Sequence, residues 1–325
     1  MKPLLLPLLL LSLSLPLLGQ ETAIDSLVHL GIEHHDAGAY EKAITFYRQA
    51  LTIDPNAEIV LYELAISLAQ TGAHYEAIEY CDKLIDRGDK YAILAYNTKG
   101  SCLNDLGKTE EAIDVFLEGI EKEDEFHLLY YNLGLAYRNL EEYEEAKEAF
   151  LIALDLNPQH GGSHLNLGRT MMNLNRRVES LLSLYYFLFI ETDTERAEWA
   201  YNAIQLQLSD ATARQFDPKD PFSSTDMILN EIARHNLEFD RIGDMEIFIR
   251  TTGAFFTDLG DQQKKNKEAG LYWEFYIPFF SAMASAAYTD AFCHYISHSF
   301  NNSSEEWLRR NSTKVKLFND WLQWQ

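Results

Sequence analysis

One small residue recurs at a near-fixed interval through the first half of this chain: Gly31, Ala65, Gly100, Gly134 and Gly168. A second series follows twelve residues behind: Ala43, Ala77, Ala112, Ala146 and Ser180. Both series advance by 34, 35, 34 and 34 residues. Self-similarity at that period marks stacked helix pairs, each able to bury its apolar face only against its neighbours. Small side chains at facing positions let the two helices of a pair approach closely. A Leu in place of Ala146 would force them apart at a cost of about 1–3 kcal/mol.

Turn residues separate the two series. Gly38, Gly72 and Gly107 occupy this place in the first three repeats, Glu141 and Asn175 in the last two. A helix, a turn and a return helix make an antiparallel helical hairpin. Tyr47, Cys81, Phe116, Phe150 and Leu184 lie four residues after the second series, hence on the same helical face. Ala50, Gly119 and Ala153 lie a turn further on. Asp54-Pro55 and Asn157-Pro158 end second helices, because proline has no amide hydrogen to donate. The one-residue excess falls in the loop 86–90.

These positions resemble the tetratricopeptide repeat (TPR) family, with five repeats at about 24–57, 58–91, 93–126, 127–160 and 161–194. Repeat four carries the pattern most fully, in Tyr130, Leu133, Gly134, Tyr137, Tyr143, Ala146, Phe150, Ala153 and Pro158. Repeat five departs from it at Ser180 and Phe187 and lacks the proline, as a transition into another domain would. The resemblance covers just over half the chain. It implies an all-α TPR solenoid of about five repeats and, for function, protein or peptide binding.

The N-terminus predicts export. Lys2 precedes a leucine-rich run from Leu4 to Leu18, broken by Pro7 and Pro16, and Gly19 stands before polar Gln20. This is the layout of a signal peptide over 1–19, and it is too short for a span. The expected product has no membrane span after cleavage, lies in a periplasmic or secreted location, and resembles exported TPR proteins of bacteria. A net charge of -23 argues against nucleic acid as a partner, since phosphate binding needs clustered Lys and Arg. The cysteines Cys81, Cys102 and Cys293 read as buried small residues. A Cys81–Cys102 bridge between adjacent repeats stays open.

In the TPR family the first helices line a concave groove. The resemblance carries that face onto Tyr62, Ile66, Asn97, Ser101, Tyr131, Asn132, Leu135, Arg138, Asn166, Arg169 and Asn173. Asn both donates and accepts, which suits an extended peptide backbone. Arg138 and Arg169 suit a carboxylate. A solvated helix face accounts for the same residues.

Beyond Thr192 the period is lost. Residues 195–208 predict a helix capping the solenoid, 209–224 a loop with Asp217-Pro218 and Asp220-Pro221, and 225–325 a helical C-terminal domain. Within it, Ser224 or Thr225 starts a helix to about His235, 244–259 forms another, and 262–268 is a polar connection. A long aromatic helix is expected over 271–299, kinked or split at Pro278. Ser303 to Glu306 reads as a capping box, and Ser312 as the cap of a last helix. The aromatic run Tyr272 to Phe280 reads as core.

Asp290, His294 and His298 share one helical face and are metal-ligand types, but residues eight apart stand about 12 Å apart along a helix. The reading is therefore no metal site. His34-His35-Asp36 is expected to face solvent, and His160 and His164 flank Gly161-Gly162 without a partner set. No phosphate-binding, dinucleotide or nucleophile motif implies a cofactor or an active site. A scattered Ser/His/Asp set stays open. The sequence thus predicts a non-catalytic TPR scaffold for a protein or peptide in an extracytoplasmic compartment. An enzyme or sensor with activity in the C-terminal domain is the alternative, and self-association is undetermined.

Overall fold

The computed structural model describes residues 14–88, 90–212, 215–238, 243–265 and 268–324. Most of the expected leader lies outside the described residues. The chain forms two compact units, 1–140 and 141–325. The first contains α1 (Ser14–Asp36), α2 (Tyr40–Ile53), α3 (Glu58–Gln70), α4 (His74–Arg87), α5 (Ala92–Asp105), α6 (Thr109–Lys122) and α7 (His127–Asn139). The second contains α8 (Tyr143–Leu156), α9 (Gly161–Asn173), α10 (Arg177–Ile190), α11 (Glu195–Ser209), α12 (Ser223–Glu238) and α13 (Asp244–Lys265). A π-helical turn (Tyr272–Tyr276) follows, then α14 (Ile277–Ser285), α15 (Thr289–Ser297), α16 (Asn302–Arg310) and α17 (Ser312–Leu322). No strand occurs among the described residues.

The ladder residues act by the absence of a side chain. A Cβ built on Gly31 would lie 2.3 Å from the Tyr47 ring, one on Gly100 2.3 Å from the Phe116 ring, and one on Gly168 2.7 Å from Leu184. In each of these three hairpins a bulky side chain sixteen residues later fills the space that a Cβ would take. Repeat two keeps the volume by exchange: Ala65 carries the methyl, and the smaller Cys81 stands where the ring would be, both wholly buried. The turn positions adopt the left-handed conformation that reverses the chain, with φ of 71° at Gly38 and 61° at Glu141. Cys81, Cys102 and Cys293 are separate buried thiols, and burial raises each above the ordinary thiol range.

In the second unit α10 is the spine. Every residue from Arg177 to Leu188 is buried, as a helix apolar all round requires. Tyr185 sits wholly buried among the rings of Phe248, Phe255, Phe256, Phe280 and Phe292, and its hydroxyl meets Thr252 Oγ1 at 2.7 Å. The departures at Ser180 and Phe187 are thus packing positions of a core shared with the C-terminal helices. Arg177, at 3% exposure, closes one end. Its Nε donates to Asp226 Oδ1 at 2.5 Å, Nη2 to the Asp226 carbonyl at 2.6 Å and Nη1 to the Asp210 carbonyl at 3.0 Å.

Several helix boundaries differ from expectation. The polar stretch 262–268 is not a connection throughout, because α13 runs on to Lys265. The expected long helix over 271–299 runs unbroken past Pro278, with a π turn before it in place of a split, and breaks once, between Ser285 and Thr289. Pro278 follows the π turn, in which the Ile277 amide bonds back five residues to Tyr272. The next amide in that register would be the one Pro278 lacks, and the freed Trp273 carbonyl accepts from Gln263 Nε2 at 3.0 Å. That break follows Ala286, where Ala287 has φ 59°. The N-cap of α16 is Asn301, whose side chain accepts from the Ser303 amide at 2.9 Å, in place of the expected Ser303 box. His34 stacks on Phe46 and His35 meets Ser67 Oγ at 2.8 Å, so neither ring simply faces water.

The glycine-to-ring approach predicts a specific non-additivity. Gly100→Ala should destabilise by about 1–3 kcal/mol, because Phe116 must move. Paired with Phe116→Cys, which copies the Ala65/Cys81 combination, it should cost at least about 1 kcal/mol less than the sum of the two single changes. Urea unfolding of the four chains measures the cycle.

Candidate functional site

The first-helix face of the first unit carries an amide ladder. Asn132 Nδ2 on α7 donates to Asn97 Oδ1 on α5 at 2.7 Å, and Asn139 Nδ2 donates to Asn104 Oδ1 at 3.1 Å. Each bond fixes the rotamer of two amides, so the Asn97 amide group and the Asn132 carbonyl are held in set directions. Ser101 Oγ donates to the Asn97 carbonyl at 2.9 Å. Tyr62 stacks on Tyr91 at 5.5 Å, and burial, followed by the Glu63 charge, raises its phenol to about 12. Tyr131 and Arg138 are half-buried on α7. Charge is segregated around this face. The second helix α6 holds five carboxylates and one lysine, whereas α7 holds no carboxylate and one arginine.

The remaining groove candidates lie in the second unit and differ among themselves. Asn166 is 5% exposed, and its Nδ2 donates to the Gly162 carbonyl of its own helix at 3.0 Å. That turns it inward, away from a contact surface. Arg169 lies over the Trp199 ring of α11 at 4.1 Å, a cation–π stack. Asn173 is exposed one turn beyond.

Asp290, His294 and His298 do not converge. Asp290 accepts from Lys314 Nζ at 2.6 Å. His294 meets Ser304 Oγ at 3.0 Å and stacks on Trp307 at 4.3 Å. His298 Nε2 faces Asp193 at 3.5 Å. Among the described residues no three His, Cys, Asp or Glu side chains are placed to hold a metal. One Ser/His/Asp set does assemble: Ser299 Oγ donates to Asp193 and lies 3.4 Å from His298 Nε2. It is not wired for nucleophilic relay. The carboxylate and the hydroxyl share one ring nitrogen, and His298 Nδ1 is taken by the Tyr295 carbonyl at 2.7 Å.

No sequence signal marked the role of His164. It is wholly buried on α9, with Nε2 on the Pro158 carbonyl at 2.8 Å and Nδ1 on the Tyr276 hydroxyl at 2.5 Å. Nε2 therefore donates and Nδ1 accepts from the phenol. Burial lowers this imidazole to about 4. Glu179 on α10 is also buried, and burial raises it to about 7; Asp220 and Asp226 push the same way, and Arg176 at 3.8 Å opposes them. Their burial comes from contacts across the folded chain, such as that of His164 with Tyr276, which no local pattern shows.

Comparison with known proteins bears out the repeats. Residues 31–72 match the family described as TPR repeat, and 93–121 and 127–160 match families described as tetratricopeptide repeat. The first half of the chain carries tetratricopeptide repeats. Among curated proteins, the chain is 26% identical over 230 residues to the type IV pilus assembly protein PilF of Pseudomonas aeruginosa, covering 68% of this chain and 85% of PilF. It is 27% identical over 158 residues to N-alpha-acetyltransferase 16, NatA auxiliary subunit, of Mus musculus. That match covers 47% of this chain and spans only 18% of the relative. Among solved structures, the TPR protein TTC0263 of Thermus thermophilus superposes with a TM-score of 0.51 at 22% identity, over 56% of this chain and 99% of that one. Pseudomonas aeruginosa PilF gives a TM-score of 0.50 at 20% identity, over 81% and 99%. The fold class is that of TPR helical hairpins.

The two buried titratable groups predict opposite pH slopes. His164 stays neutral in the fold while its unfolded form protonates near 6.5, so its contribution is lost as pH falls from about 6.5 toward 4. Glu179 stays protonated in the fold, so its contribution is lost as pH rises from about 4.5 through 7. Each difference is on the order of 3 kcal/mol. Relative to the parent, His164→Gln should gain stability as pH drops through its window, and Glu179→Gln should gain as pH rises through the other. Urea midpoints across that pH range read both slopes.

Proposed function

We propose that this chain is a non-catalytic scaffold that holds a protein or peptide segment on the first-helix face of its first unit. The observation that carries this reading is the segregation of charge and amides on α5 and α7. In a chain with 50 Asp and Glu, α7 is free of carboxylates and holds Arg138 on the same helix as the Asn132 end of the Asn97–Asn132 amide pair. A bound main chain needs alternating donors and acceptors in fixed positions, and pre-oriented amides supply them at low entropic cost. The guanidinium suits a carboxylate on the same segment.

The setting we assign is extracytoplasmic, and the role is assembly or scaffolding there. The leucine-rich run behind Lys2 supports the first. The likeness to a protein named for type IV pilus assembly, over two thirds of this chain, supports the second.

Two measurements test these statements. Peptides selected by phage display on the full chain should lose at least about tenfold in affinity when Asn97, Asn132 and Arg138 are all changed to Ala, with helicity kept. Unchanged affinity would place the contact surface elsewhere. Residues 1–30 fused to alkaline phosphatase should give an enzyme active outside the cytoplasm, and an inactive, cytosolic fusion would overturn the export reading.

A further inference from the structure

The second unit contains an open groove of about 420 Å³ between the end of α8 and the π-helical turn. One wall is the end of α8, with Leu151, Ile152 and Asp155; the other is the π-helical turn and its lead-in, with Leu271, Glu274 and Phe275. The floor is apolar, and Ile152 stays 42% exposed above it. Phe275 is fixed from behind by Tyr186 at 4.8 Å. The two walls are tied together beneath the groove by His164, which bonds the Pro158 carbonyl at the end of α8 and the Tyr276 hydroxyl on the π turn. A buried pair of hydrogen bonds therefore clamps the two walls at a set distance. π turns of this kind recur at functional sites.

Both charges on the lining, Asp155 and Glu274, are negative and exposed. Among the described residues neither is ion-paired, whereas Glu144 and Glu148, also on α8, are held by Lys147. The Gly270 amide donates to Glu274 Oε2 at 3.2 Å, which pins that carboxylate at the rim.

The geometry points to this groove as a docking site for a cationic partner segment, with apolar anchors on the floor and flanking Lys or Arg side chains on Asp155 and Glu274. The complementarity is specific: an apolar floor alone would take any hydrophobic segment, whereas the two carboxylates at its rim repel acidic ones. In a chain of net charge -23 the same sign excludes a second copy presenting its own acidic surface.

The test uses the full chain with two synthetic peptides, Lys-Lys-Leu-Phe-Lys-Lys and Glu-Glu-Leu-Phe-Glu-Glu, and methyl NMR of Ile152, Leu151 and Leu271. The basic peptide should shift these methyls and the acidic one should not. Asp155→Asn with Glu274→Gln, both on the surface, should weaken the basic peptide about tenfold at unchanged helicity, and raised salt should weaken it too. His164→Gln at unchanged helicity should also weaken binding, through the clamp and without touching the peptide. Silent groove methyls, equal binding of the acidic peptide, an unchanged affinity in the double variant, or concentration-dependent shifts without peptide would each overturn the assignment.

Discussion

The repeats depend on one steric fact: a backbone without a Cβ admits a ring at van der Waals distance. Gly31 against Tyr47 and Gly100 against Phe116 are the same contact in two hairpins. It sets the distance between paired helices, and that distance determines which residues stack on the next pair. The Ala65/Cys81 exchange shows that total volume is what the hairpin requires, and that the glycine is one way of meeting it. Once hairpins share this spacing, first-helix residues of adjacent repeats come into register, and the Asn97–Asn132 and Asn104–Asn139 pairs result.

The second unit solves a different problem. A terminal repeat would expose its second helix to water. Here α10 is instead surrounded, and its burial calls in α11, α12, α15 and the π turn as neighbours. Three polar side chains taken inside find partners there: Arg177 meets Asp226 and two carbonyls, Tyr185 meets Thr252, and His164 meets a carbonyl and a phenol. A buried ion pair such as Arg177–Asp226 adds little net stability, yet removing one partner would strand the other. Its effect is to fix where α12 begins.

Surface chemistry follows the alternation of helices. Second helices α4, α6 and α8 carry most of the carboxylates of their repeats, while α7 and α9 carry none. Acidity in repeats four and five is thus kept off the first helices, which carry amides and one arginine each, whereas α1, α3 and α5 hold carboxylates of their own. That division gives the first-helix face a chemistry distinct from the rest of a strongly acidic molecule, and it also explains why the groove beside α8 is negative.

How much of this the sequence determined depends on the range of the interaction. The hairpins, the five turns and the departure at repeat five were legible because each rests on residues within about one repeat, where period and residue size speak directly. Glu141 and Asn175 were readable as turns from their place in the period although neither is glycine, and both adopt positive φ. The groove candidates were legible as a set on a face but not one by one: Asn166 has the same spacing as its neighbours, yet it bonds its own helix. The burial of His164 and Glu179 and the break at Ala287 were invisible, while Pro278 marked a disturbance without showing that it takes the form of a π turn; the Tyr276 hydroxyl that meets His164 lies 112 residues away. Short-range sterics are written in the order of residues. Burial, and with it the ionisation of His164 and Glu179 and the clamp beneath the acidic groove, arises only when distant helices close around a site, and only the tertiary structure decided it.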